Sequence, residues 1–131
     1  MTRLLLLGLF VLACGDAPAA ERCARCGMLV GTAPAWLSGL GDTRFDSPKC
    51  LLRWRAEQGR EGGWVTEYYS SERREIERIL FVVGSDVISP MGDDLVPVEN
   101  RVQADVFVRD HGGRVIAPGE VDAATLASLD P

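Results

Sequence analysis

Two thiols and a thioether stand within six residues in the segment Cys23-Ala24-Arg25-Cys26-Gly27-Met28. Sulfur at this density suits a soft metal, Cu(I) above all, which two or three sulfur ligands satisfy in linear or trigonal geometry. A closed structural zinc site takes four ligands and usually shows a second Cys or His pair at similar spacing. Beyond this segment and the N-terminal Cys14, only Cys50 and the single histidine, His111, remain to complete one. A C-x-x-C pair can also cycle between dithiol and disulfide, but that chemistry is expected at a helix start in a βαβ setting. Here Gly27-Met28-Leu29-Val30 reads as strand. Met28 favours copper as a thioether ligand, with a core methionine beside Leu29 and Val30 as its other reading.

Further candidates lie downstream. Asp46-Ser47-Pro48 offers a capping residue followed by proline at a first helical position, which puts Cys50 in the first turn of a helix. Unpaired N–H groups and the helix dipole at such a turn are expected to lower its pKa. Cys50 thus reads either as a further ligand or as a buried, inert thiol. Met91, in Ser89-Pro90-Met91-Gly92, is a second thioether or a packed turn residue. His111 falls where a helix should end, a position that favours cations, and is read as a plain helix residue or as an additional ligand. Trp36, Trp54 and Trp64 read as core residues. No Ser-His-Asp order, phosphate loop or dinucleotide fingerprint is present.

Redox surroundings decide what such thiols do, and the N-terminus bears on them. Met1-Thr2-Arg3 is a short basic start, Leu4 to Leu12 is an apolar run too short to span a bilayer, and Val11-Leu12-Ala13-Cys14 precedes small and polar residues. This resembles a bacterial lipoprotein signal peptide over residues 1–13, with Cys14 acylated as the first mature residue. Residues 14–21 then form a tether, and the protein is expected on the periplasmic side of the cell envelope, in the outer membrane of a Gram-negative cell. Of four cysteines, Cys23, Cys26 and Cys50 remain. Three thiols cannot all pair, and a leftover thiol in an oxidising compartment argues for a reactive, metal-bound or intermolecular role.

The remaining chain is long enough for one compact domain. With 14 basic and 19 acidic side chains and a formal net charge of −5, it has no basic surface for nucleic acid. Loss of Arg3 with the signal segment makes the mature chain more acidic still. Short strands are expected at Met28–Val30, Ala35–Leu37 and Thr43–Phe45, a helix from Pro48 to Gly59 or Gly62-Gly63, and a strand over Trp64–Tyr69. The order then repeats: strands at Ile79–Val83 and Asp94–Val98, a helix after the N-x-x-Q box of Asn100 to Gln103, its apolar face on Val102, Val106 and Phe107, then Gly112-Gly113 and a strand at Arg114–Ile116. The fold class is therefore α+β, with two tandem ββαβ units, about 22–70 and 78–131, sharing one compact core.

Four separated segments carry a family resemblance: Cys23 to Met28, Phe45-Asp46-Ser47-Pro48-Lys49-Cys50, Pro90-Met91-Gly92-Asp93-Asp94-Leu95-Val96, and Ala104 through Gly112-Gly113-Arg114-Val115-Ile116. Together with the lipobox they resemble the NosL family, the accessory lipoproteins of nitrous oxide reductase. The resemblance implies a fold similar to the organomercurial lyase domain. It also implies a periplasm-facing lipoprotein that binds Cu(I) and delivers it to apo nitrous oxide reductase or another periplasmic cuproprotein, without turnover of its own. Carried over, the ligands are Cys26 and Met28 with Cys23, Met91 being a weaker transfer; His111 has no clear counterpart. The alternative is a thiol-redox or organomercurial-handling enzyme on a related fold, for which Asp46 near Cys50 would supply an acid.

Overall fold

The computed structural model describes Gly15 and residues 19–130. The expected signal segment 1–13, Cys14 and part of the expected tether lie outside the described residues. Strands β1 (Ser38–Leu40) and β2 (Thr43–Phe45) form a hairpin, helix α1 (Pro48–Gln58) follows, and β3 (Trp64–Thr66) returns to pair with β1. A further strand, β4 (Arg73–Glu75), extends this sheet to the order β2-β1-β3-β4.

The second half uses β5 (Leu80–Val83), a small hairpin of β6 (Ile88–Ser89) and β7 (Gly92–Asp93), then β8 (Val96–Val98), α2 (Arg101–His111) and β9 (Arg114–Ile116). Its sheet order is β8-β5-β9, and α3 (Ala123–Ala127) closes the chain. In each half the first strand is central, the second and third flank it, all pairs are antiparallel, and the helix joins second to third. The two halves are thus ββαβ units of one topology.

Capping chemistry sets both helices. Ser47 accepts the Cys50 N–H at 3.3 Å with Pro48 at the first helical position, and Asn100 accepts the Gln103 N–H at 3.0 Å. The Gln103 side chain reaches back to the N–H of Glu99 rather than of Asn100, so the box closes one residue early. Gly63 and Gly113 hold equivalent places before the third strand of each half. Their φ angles are 112° and 92°, and an added Cβ would stand 2.9 Å from the Gly39 carbonyl or 2.6 Å from that of Val83. Only glycine lets the chain re-enter so close to the central strand.

Several expected elements differ. Residues 28–30 are not a strand: a single bridge joins Leu29 to Arg22, because the local backbone bonds close a loop instead. Pro34–Trp36 is a turn of 3-10 helix, with strand beginning only at Ser38. Val102 is 75 % exposed, since α2 turns Ala104 and Phe107 onto its sheet, which leaves Val102 outside the apolar face. Trp64 is half-buried rather than core, with the Arg73 guanidinium 4.0 Å from its ring centre and Arg44 at 5.5 Å.

The main core draws on both halves, joining Phe45, Leu51, Val65 and Ile76 to Phe81, Leu95, Ile116 and Leu126. Cys23 and Cys50 belong to it, with Cys26 packed at its margin. A second cluster around Val82, Val96, Val98 and Phe107 lies under α2.

Candidate metal centre

The segment from Cys23 to Met28 is a closed loop. The Cys23 N–H donates to the Met28 carbonyl at 2.8 Å, Gly27 N–H donates to the Cys23 carbonyl at 3.0 Å, and Arg22 Nη1 donates to the Gly27 carbonyl at 2.9 Å. The Ala24 N–H reaches the Arg44 carbonyl at 3.0 Å, which seats the loop against β2, the outer strand of its sheet. Gly27 adopts φ 77° with open space around its would-be Cβ, so a substitution there meets backbone strain alone. Gly27→Ala is expected to cost about 1–2 kcal/mol in thermal or denaturant unfolding and to weaken metal binding by displacing both sulfurs.

This seating carries the loop to the first turn of α1. Cys23, Cys26, Asp46 and Cys50 each offer a ligand atom, and the four atoms lie within 4.8 Å of one another. All three cysteines are free thiols. Cys23 and Cys50 are buried and Cys26 is half-buried, so an ion reaches the cluster on the Cys26 side. The Cys26 thiol donates to Asp46 Oδ2 at 3.3 Å. Arg25, between the first two cysteines, pairs with Glu57 at 2.7 Å.

The thiols are not alike. Cys23 is pulled down from the ordinary thiol value to about 6, chiefly because the Cys50 thiol donates to its sulfur. Burial opposes this, and the peptide N–H groups of Cys26, Asp46 and Arg25 assist it. Cys26 is pushed up to about 11, first by burial, with the Met28 N–H working the other way and Cys23 and Asp46 adding to the rise. Cys50 is pushed far up, as the donor to Cys23 in a buried place beside two negative groups. The expectation of a low Cys50 pKa is thereby overturned: the helix-end effect is outweighed by the neighbouring sulfur, and the preformed thiolate is Cys23.

These shifts set a pH dependence. A thiol with a depressed folded pKa stabilises the fold above its unfolded value and loses that contribution as pH falls, here from about 9 through about 6. Cys26 and Cys50 act in the opposite sense above pH 9, where their unfolded forms ionise first. The reduced, metal-free protein should therefore gain stability from pH 6 to pH 9, by up to ~1.4 kcal/mol per pH unit, and lose it beyond. Thermal melts across that range test this, and Cys23→Ser should abolish the rise.

The remaining sequence candidates are placed as follows. Met28 closes the loop with 41 % of its surface exposed. Met91 sits in the β6–β7 turn, half-buried against the main core, its carbonyl accepting Lys49 Nζ at 2.8 Å. His111 is the last residue of α2, its Nδ1 2.8 Å from Asp86 Oδ1 and its ring 4.7 Å from that of Phe107. It packs with the second cluster and is not among the groups gathered with the thiols. Asp46 was legible as a nearby acid but not as a member of the sulfur cluster. Its spacing of four residues before Cys50, at a helix entry, was the available signal.

The NosL family model matches residues 16–126. The chain belongs to the NosL family. Among solved structures, it is similar to the crystal structure of the copper chaperone NosL from Shewanella denitrificans, with a TM-score of 0.69 and 19 % identity over 83 % of this chain and 97 % of that one. At that identity the likeness speaks for the fold. No curated protein sequence matches the chain. The arrangement gathers three thiols and a carboxylate at the margin of the core, with Cys23 the most acidic of the thiols.

Proposed function

We propose that this chain is a periplasm-facing lipoprotein that binds Cu(I) through its Cys23, Cys26 and Cys50 sulfurs and passes it to a cuproenzyme, nitrous oxide reductase first among candidates. The observation that carries this is the convergence of three free thiols around a preformed Cys23 thiolate. Three sulfurs satisfy Cu(I) in trigonal geometry. A carrier must also release its ion, and an exposed Met28 two residues from a half-buried Cys26 provides donors that an incoming or leaving ion meets first. Similarity to the copper chaperone NosL from Shewanella denitrificans supports the same reading.

Titration of the reduced protein with Cu(I) against a competing chelator should show one ion bound per chain, weakened by Cys26→Ser and by Cys50→Ser. Binding unaffected by both changes would overturn this ligand set. Anchoring rests on Cys14, and Cys14→Ala should move the protein from the membrane fraction to the soluble periplasm.

A second reading draws on Asp46, whose carboxylate touches the Cys26 thiol. In an organomercurial lyase, thiolates take the mercury, an acid protonates the departing carbon, and the C–Hg bond breaks. Release of hydrocarbon from an alkylmercury over repeated turnovers would favour that enzyme, whereas stoichiometric thiol capture alone leaves the carrier.

A further inference from the structure

Two of the three tryptophans carry a cation of the chain's own. The Arg73 and Arg44 guanidiniums lie over Trp64, and Arg60 lies 5.9 Å from the ring centre of Trp54, whereas among the described residues no guanidinium lies over Trp36. Trp36 instead lines a cavity of about 90 Å³ with Ala35, Tyr68, Val87 and Pro97, to which none of the thiols contributes. Small-molecule sites usually measure about 300–1,000 Å³, so this one admits a single side chain. Trp36 and Tyr68 are both half-buried, and the exposed Tyr69 and Ile88 stand next in the chain to two of the walls.

The charge beside this cavity is negative. Asp86 precedes Val87 and is exposed, and its side-chain partner is His111 at 2.8 Å, an imidazole that offsets the carboxylate only when protonated. The His111 ring stands 6.2 Å from that of Tyr68, which sets the pair beside the aromatic wall. Glu67, immediately before Tyr68, is buried, and its Oε1 has no hydrogen-bond partner. Arg109, two residues before His111, is committed to Asp110 through two bonds. An open indole face bordered by a carboxylate attracts a cation. A guanidinium fits best, because it stacks flat on the ring while its fork pairs with the carboxylate, which an ammonium does less well.

We propose that this cavity is a docking socket for one arginine side chain of a partner protein, its guanidinium stacked on Trp36 and paired with Asp86. The partner's surface is then basic, complementary to a chain of formal net charge −5. Trp36 and Tyr68 pack against the second cluster, so the socket is independent of the metal centre and of what that centre carries.

The test is an NMR titration of the full chain with acetyl-Gly-Arg-Gly-amide, read at the three indole N–H signals. The Trp36 signal should shift saturably while those of Trp54 and Trp64 stay in place. The same peptide with citrulline for arginine keeps the shape and loses the charge, and should bind about 5-fold more weakly, the upper end for an exposed cation–π contact. Asp86→Asn should weaken the arginine peptide by about 3-fold, within the range of an exposed ion pair, and its other signals should be unmoved because the side chain is at the surface. An absent Trp36 shift or equal binding of the citrulline peptide would overturn the proposal. Saturation by choline chloride in preference to the arginine peptide would also overturn it, assigning the cavity to a lipid head group instead. The unaltered protein decides between arginine, citrulline and choline without any variant.

Discussion

Cys23→Ser should lower Cu(I) affinity by at least ~100-fold, the upper end for losing an outer-shell partner and a floor for losing a ligand. Cys23 is the thiol that is already ionised at neutral pH, with the Cys50 thiol and three peptide N–H groups directed at its sulfur. Those groups are in place before the metal arrives, so its thiolate costs nothing to form at binding. A serine hydroxyl in the same position stays protonated and offers a hard oxygen in place of a soft sulfur. Burial works against the variant too, because Cys26 must still give up its proton in a desolvated place. Competition titrations should therefore rank Cys23→Ser as the most damaging of the three cysteine changes. Cys23→Ser should also show the steepest relief on raising the pH, since the two thiols it retains bind only after losing a proton. An equal or greater loss in Met28→Leu would place the anchor of the site at the C-G-M end of the loop instead.

What was legible in the sequence was local. Ser47-Pro48 and Asn100 start the two helices because a side-chain acceptor and a proline act within three residues of themselves. Gly62-Gly63 and Gly112-Gly113 mark the equivalent re-entry points that reveal the repeat, and His111 ends α2 as a basic residue at a helix C-terminus should. What was not legible depended on partners distant in the chain. Met28-Leu29-Val30 has strand-like residues, yet its backbone is committed to closing the sulfur loop. The pKa of Cys50 follows from Cys23 across the fold, not from its own helix turn. Asp46 meets Cys26 only because Ala24 bonds to Arg44, a register that composition does not reveal. The tail likewise gave no sign of α3, whose cap Asp122 accepts both the N–H and hydroxyl of Thr125.

Asp94→Ala should destabilise the fold by ~3 kcal/mol, through groups left without partners rather than through lost packing. Asp94 is 2 % exposed, and its Oδ1 accepts the N–H groups of Lys49 and Leu95, each at 2.8 Å, while Oδ2 accepts the Ser89 hydroxyl at 2.7 Å. The Lys49 bond makes this second-half carboxylate a cap on the first turn of α1. The buried Lys49 side chain crosses back, donating to the carbonyls of Met91 at 2.8 Å and Leu129 at 3.2 Å. Alanine strands three buried donors at once, and ~3 kcal/mol is a large part of the 5–15 kcal/mol typical of a domain. Asp94→Asn keeps an acceptor for both N–H groups and should cost ~1 kcal/mol. Burial raises the Asp94 pKa, so the wild-type loses stability as pH rises above the ordinary carboxylate value, and the Asn variant, which does not titrate, should compare better at pH 7 than at pH 4. The effect should reach the metal centre, because the turn that Asp94 caps carries Cys50 and Cys50 supplies the hydrogen bond that makes Cys23 acidic. In the folded fraction of Asp94→Ala, the Cys23 thiol should titrate closer to its ordinary value. Alkylation rates against pH would show whether the two halves of the fold hold the site together or merely lie beside it.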